Sequence, residues 1–187
     1  MGVAVKRLPP QFSWMSPKLE VRDTGKYGKG VFVRAGQRVR KDEMLFVMGG
    51  EVIPASSEVG DHGVQISETM VLATPNGMPP TEADFLNHSC APNAGFRGQI
   101  MVVAMSMPTG GAQVTFDYAM CLHPIDGAAR YEMPCACGAK GCRGVITEDD
   151  WKRPDLQRRY DGYFQWFLQE KIERQRRHSR TRKEGPR

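Results

Sequence analysis

The chain has 187 residues, the size of one domain with an appendage, and its 40% hydrophobic content can bury an ordinary core. No run approaches the roughly 18 consecutive apolar residues of a membrane span, and the first residues lack the build of a secretory signal, so the sequence reads as soluble and intracellular, with no membrane partner. The net charge of +5 is uneven, since residues 171–187 carry eight Lys or Arg against two Glu, which leaves any nucleic-acid contact to that basic tail.

Met1-Gly2 opens like a myristoylation signal, but Lys6 stands where that signal needs Ser or Thr. From Lys18 to Phe116 short apolar runs alternate with Gly, Pro and Asp, the texture of a mainly β fold. The predicted strands are Leu19 to Arg22, Gly30 to Arg34, Met44 to Met48, Gly63 to Ile66, Thr69 to Ala73, Ile100 to Met105 and Gln113 to Phe116. Thr81-Glu82-Ala83-Asp84 has the form of a capping box opening one helical turn. Farther on, Leu156, Tyr160, Tyr163, Phe164, Phe167, Leu168 and Ile172 recur at helical spacing behind Pro154-Asp155, which predicts a C-terminal amphipathic helix with Gly162 as its weak spot. Past Arg174 no apolar face remains, and the helix is expected to fray.

Five cysteines in a chain with no export signal point to metal or catalysis rather than disulfides. Cys135-x-Cys137-x4-Cys142 can fold three thiols towards one point, because Gly138 and Gly141 loosen the loop. A tetrahedral zinc ion needs a fourth ligand. Cys90 is the first choice for it, and Cys121, nearer in sequence, is the competitor.

Asn87-His88-Ser89-Cys90-x-Pro92-Asn93, then Val114-Thr115-Phe116-Asp117-Tyr118, then Cys135-Ala136-Cys137-Gly138-x3-Cys142-Arg143-Gly144 resemble, in that order, the SET domain with its post-SET zinc motif. Upstream, Gly28-Lys29-Gly30-Val31-Phe32 is similar to the family's glycine turn and Gly50-Glu51-Val52-Ile53 to its Gly-Glu segment. The resemblance runs from about Leu19 to Val145, and the aromatic helix after it is similar to compact bacterial-type members. It implies a SET fold of short twisted sheets with a pseudoknot-like crossing, S-adenosylmethionine as methyl donor, one structural zinc ion, and a protein lysine, on a histone-like tail or other basic protein, as acceptor.

By the same resemblance Tyr118 is the catalytic residue, with its hydroxyl near the transferring methyl. Phe116 and Met48 line the lysine channel, and Phe116, lacking a hydroxyl to hold a water, implies room for di- or trimethylation. Gly28, Lys29, Gly30, Asn87, His88, Tyr118 and, after the zinc loop, Gly144 and Val145 are the expected cofactor contacts. The metal ligands are then Cys90, Cys135, Cys137 and Cys142. Two departures stand out: Met48 occupies a position where the family commonly has Tyr, and Asp84 one where it often has Arg.

The expected organisation is an N-terminal extension over 1–17, the SET domain over 18–119, a linker and zinc motif over 120–147, the amphipathic helix over 148–173 and a disordered basic tail over 174–187. The alternative to a lysine methyltransferase is a degenerate SET-fold module that holds zinc and a peptide or nucleic acid without turnover. A zinc-stabilised nucleic-acid binder fits less well, because the basic residues lie outside the motif-bearing region and show no interleaved aromatics.

Overall fold

A computed structural model describes residues 13–26, 28–57 and 63–183. In chain order the strands are β1 (Trp14–Met15), β2 (Leu19–Asp23), β3 (Lys29–Val33), β4 (Met44–Val47), β5 (Glu51–Pro54), β6 (Gly63–Gln65) and β7 (Met70–Ala73). They continue as β8 (Asn87–His88), β9 (Ala94–Arg97), β10 (Met101–Ala104), β11 (Gln113–Phe116), β12 (Glu132–Pro134) and β13 (Val145–Thr147). Two helices close the chain, α1 (Pro154–Arg159) and α2 (Trp166–Lys183).

The strands form small sheets in the orders β1-β4-β10-β9, β2-β3-β11-β8, β5-β7-β6 and β12-β13. The mainly β expectation holds, as does the helical tail behind it. β11 is the strand that matters for the site. It runs antiparallel to β3 on one side, while on the other β8 lies parallel to it, with Asn87 opposite Thr115 and His88 opposite Phe116. Asn93 extends that contact by side-chain mimicry of a strand: its Nδ2 donates to the Gln113 carbonyl at 2.7 Å and its Oδ1 accepts from the Thr115 N–H at 3.0 Å. The Asn87-to-Asn93 segment is therefore sewn along β11, up to the residue before Asp117-Tyr118.

The capping box forms, with Asp84 closing a single 3-10 turn over Glu82–Phe85. Three expectations need correction. Trp14 and Met15 pair with β4, so the folded region begins before residue 18; Met1 to Gln11 and Phe12 lie outside the described residues. The predicted helix over 148–173 is a 3-10 turn at Asp150–Lys152, then α1, then a break, then α2. The break sits where Gly162 takes a φ of 75°, and its cause is competition for hydrogen bonds. The N–H of Phe96 donates to the Tyr163 carbonyl, that of Gln165 to Met120, and that of Trp166 to Gly98, which draws residues 163–166 onto the sheet edge instead of a helical turn. Finally, α2 continues through Lys183 rather than fraying at Arg174, supported by Glu170–Arg174 and Glu173–Arg177 pairs four residues apart.

Leu156, Tyr160, Phe164, Leu168 and Ile172 share one buried cluster with Val31, Phe96, Val114, Phe116 and Met120. The C-terminal segment is thus part of the core of the domain. Burial of each large side chain contributes roughly 1.5–3 kcal/mol. At Gly50 the backbone has no room for a side chain, since a Cβ would press on the Ala73 carbonyl oxygen and stand 2.9 Å from its carbon. Gly50→Ala should lower unfolding stability by about 2–4 kcal/mol, read from the denaturant midpoint, whereas an unchanged midpoint would contradict the tight β5–β7 junction.

Candidate active site and metal centre

Asp117 ends β11 in an extended conformation (φ −91°, ψ 126°), so its neighbours Phe116 and Tyr118 project together and its own carboxylate projects oppositely, into the core. The Phe116 and Tyr118 rings stand 5.1 Å apart between centroids. Both line a cavity of about 460 Å³ together with Met48, Leu86, Cys121 and Tyr131. Burial, helped by Cys121 and Tyr131 nearby, pushes the Tyr118 hydroxyl well above the usual phenol range, so it stays protonated and available as a donor.

His88 meets Tyr118 edge-on at 5.1 Å. The Tyr118 N–H donates to His88 Nδ1 at 3.2 Å. Burial lowers the imidazole to about 4, against the opposing pull of Asp117, so the ring is neutral at pH 7. Because Nδ1 accepts, the single proton is on Nε2, which points at Cys90 Sγ 3.3 Å away. Asn87 Nδ2 donates to the Lys29 carbonyl at 3.0 Å, and at Gly30 a Cβ would meet the Gln113 amide nitrogen at 2.5 Å, Thr24 Cγ2 at 2.8 Å and that same Asn87 nitrogen at 3.0 Å. Gly28 takes a left-handed φ of 70° at the turn before them. Lys29 and Gly30 thereby meet Asn87, next to His88 which contacts Tyr118, and all of these with Gly28 lie outside the cavity lining. Val145 stands apart, 45% exposed in β13 opposite Pro134.

Below His88 the thiols converge. Cys90 Sγ is 4.0 Å from Cys135 Sγ, which is 3.7 Å from Cys142 Sγ, and the Cys90 N–H donates to Cys137 Sγ at 3.5 Å. A tetrahedral zinc ion with sulfur bonds near 2.3 Å separates its sulfurs by about 3.8 Å, so these spacings suit such an ion. Burial raises the Cys90 and Cys135 thiols. Burial also works against the Cys137 thiolate, but N–H groups of Cys90 and Ala139 and the adjoining thiols draw it down to about 6. Cys121 takes no part: it is buried, lines the cavity and donates to the Tyr118 carbonyl at 3.6 Å.

Among the described residues the donor atoms of His88, Cys90, Cys135 and Cys137 all lie within 4.8 Å of one another, a group that includes His88 in place of Cys142. The tautomer argues for Cys142. An imidazole whose Nδ1 accepts from Tyr118 has no lone pair on Nε2 to give a metal, and that N–H is instead a donor to the Cys90 sulfur.

Sequence reasoning passed over the charges that join these parts. Asp117, fully buried, accepts from both Arg143 Nη atoms at 2.6 Å, from the Tyr160 hydroxyl at 2.9 Å and from the Ala119 N–H at 3.0 Å. Arg143 Nε reaches Asp150 at 2.9 Å, its backbone N–H donates to Cys90 Sγ at 3.4 Å, and Arg159 donates to the Cys90 carbonyl at 3.1 Å. The signal was present in the inward-facing slot of Asp117 between Phe116 and Tyr118, and in Arg143 directly after Cys142.

A family model for the SET domain matches residues 30–119. That stretch is a SET domain. Relatives of the chain are histone-lysine methyltransferases, which share 41% identity over 72 residues with human histone-lysine N-methyltransferase 2B (35% of this chain, 2% of that protein) and 31% over 149 residues with ASHH2 of Arabidopsis thaliana (71% and 8%). The H3 lysine-36 specific enzyme of Schizosaccharomyces pombe is 28% identical over 68% of this chain and 18% of its own length, so the chain spans less than a fifth of these relatives. Among solved structures, KRYPTONITE in complex with mCHG DNA and SAH superposes with a TM-score of 0.52 at 21% identity, covering 68% of this chain and 28% of that one. A second KRYPTONITE complex, with mCHH DNA, an H3(1-15) peptide and SAH, gives 0.52 at 23% over 68% and 29%. These likenesses carry the fold. Cys135, Cys137, Cys142 and both helices lie beyond the matched end of the SET domain at residue 119.

Proposed function

We propose that this SET domain transfers methyl groups to the side-chain amine of a protein lysine, with S-adenosylmethionine as donor. The observation that supports it best is the position of Tyr118, which lines a cavity with Phe116 and Met48 on one side and touches His88, beside Asn87 and Lys29, on the other. A lysine entering the cavity and a cofactor held at the glycine turn would meet at its ring. When bound, S-adenosylmethionine supplies an electrophilic methyl on a sulfonium. The lysine amine would take that methyl through its lone pair, leaving the electrons of the C–S bond on sulfur and losing its extra proton to solvent.

The residues of the chain contribute position and medium. Phe116, Met48, Leu86 and Leu122 give the cavity apolar walls, which favour the neutral, nucleophilic amine. The Tyr118 hydroxyl, kept protonated by burial, is a fixed dipole beside the line of displacement, and alignment of the reactants supplies much of the rate. Cys90, Cys135, Cys137 and Cys142 would hold one zinc ion, with His88 donating to Cys90. Cys90 then fixes the same short segment that presents Asn87 and His88 to the cofactor. The substrate would be a basic, histone-like segment, a reading supported by the H3 peptide in one structural neighbour and by the names of the relatives.

Calorimetric titration with S-adenosylmethionine, alongside methyl transfer to a histone mixture, tests the proposal. Tyr118→Phe should bind the donor but transfer on the order of 100-fold more slowly, and Phe116→Tyr should shift products towards monomethyl-lysine in the mass spectrum. Donor binding with no transfer by the native chain would instead favour a module without turnover. For the metal, elemental analysis should give one zinc per chain, lost in Cys90→Ala and kept in Cys121→Ala, and the opposite pattern would move the fourth ligand to Cys121.

A further inference from the structure

Asp84 is the one side chain charged at neutral pH among the described residues lining the cavity. Its carboxylate is fixed unevenly. Oδ2 accepts from the Thr81 N–H at 2.6 Å, the Thr81 hydroxyl at 3.1 Å and the Thr74 hydroxyl at 2.8 Å. Among the described residues Oδ1 has no partner, and no Lys or Arg forms an ion pair with Asp84. Capping the 3-10 turn uses one oxygen and immobilises the group, so the carboxylate is a preorganised acceptor at the wall of a cavity otherwise lined by apolar or neutral residues.

A fixed, uncompensated carboxylate attracts a cation and repels an anion. It cannot serve the methyl-accepting amine, because an adjacent negative charge would hold that amine as the ammonium, which has no lone pair for the attack. The cation must therefore be a second basic group carried in with the substrate. In an extended segment residues two positions apart share a face and lie about 7 Å apart, a span that a cavity of about 460 Å³ accommodates. We infer that Asp84 is a specificity-determining residue that engages an Arg or Lys two positions from the target lysine. This inference rests on the methyl-transfer reading of the cavity.

The test compares peptides carrying one lysine flanked by Arg, by Gln or by Glu. On the native chain kcat/KM should favour Arg over Gln by about tenfold, the effect of one partly exposed charge pair, and Glu should be worst. Asp84→Asn, which keeps an oxygen for the turn, should bring Arg and Gln within about twofold of each other, and Asp84→Lys should favour Glu. Equal values for the three peptides on the native chain, or a preference that survives in Asp84→Asn, would overturn the inference. Fluorescence-anisotropy binding of the same peptides to native protein saturated with S-adenosylhomocysteine needs neither turnover nor a variant. An Arg preference in binding without any transfer upholds Asp84 and overturns the methyl-transfer reading; transfer with no charge preference does the reverse.

Discussion

The fold of the site depends on one buried ion pair. Asp117 sits between the two aromatic residues that line the cavity, and its carboxylate would be an uncompensated charge in the core without the two guanidinium bonds from Arg143. Burying both ions has a large desolvation cost that their attraction roughly offsets, so the pair adds little net stability compared with an apolar pair. Removing one partner is a different matter, costing about 3–5 kcal/mol because the other charge is left stranded. The pair is thus better understood as a constraint on geometry. It forces the loop after Cys142 to stay against the end of β11, and Tyr160 and Asp150 complete the donors and acceptors that make the arrangement tolerable.

Three separate stretches of chain are joined at this point. The cysteine loop arrives through Arg143, whose side chain holds Asp117 and whose N–H touches the Cys90 sulfur. The C-terminal helices arrive through Tyr160 and Arg159, the latter bound to the Cys90 carbonyl. The Asn87-to-Asn93 segment arrives along β11 and carries Cys90 itself. Cys90 is consequently bound through its sulfur, its N–H and its carbonyl, and the residue two before it, His88, contacts the Tyr118 ring and backbone. Cysteine cluster, helix and aromatic site are coupled through contacts between neighbours and need no longer-range mechanism.

Much of this was legible in the sequence, for reasons that differ by element. Strands β2, β3 and β11 show as apolar runs bounded by turn residues, and the cysteine spacing announces a chelating loop, because both signals are local. β8 is too short, at two residues, to give any periodicity; only its place beside β11 makes it a strand. The break between α1 and α2 was hidden because the aromatic spacing continues through it, while the decisive factor is the demand of Phe96, Gly98 and Met120 for backbone partners. Arg143 and Asp117 stand inside the motifs that carry the resemblance, but a charge pair 26 positions apart has no local periodicity, so their pairing emerges only in three dimensions. Asp84 was visible as a departure from the family pattern and as a cap, but its place in the cavity wall emerges only in three dimensions.

The central claim, that Arg143 holds Tyr118 in place from the metal loop, is tested most directly by amide hydrogen exchange over residues 117–122 in native protein and in Arg143→Met, both verified to hold one zinc per chain. The account predicts that the amides of Tyr118 to Leu122 exchange faster in the variant although the metal is retained, because the His88 and Asp117 acceptors of Tyr118 and Ala119 lose their fixed positions. Unchanged protection across those residues in the zinc-loaded variant would contradict it.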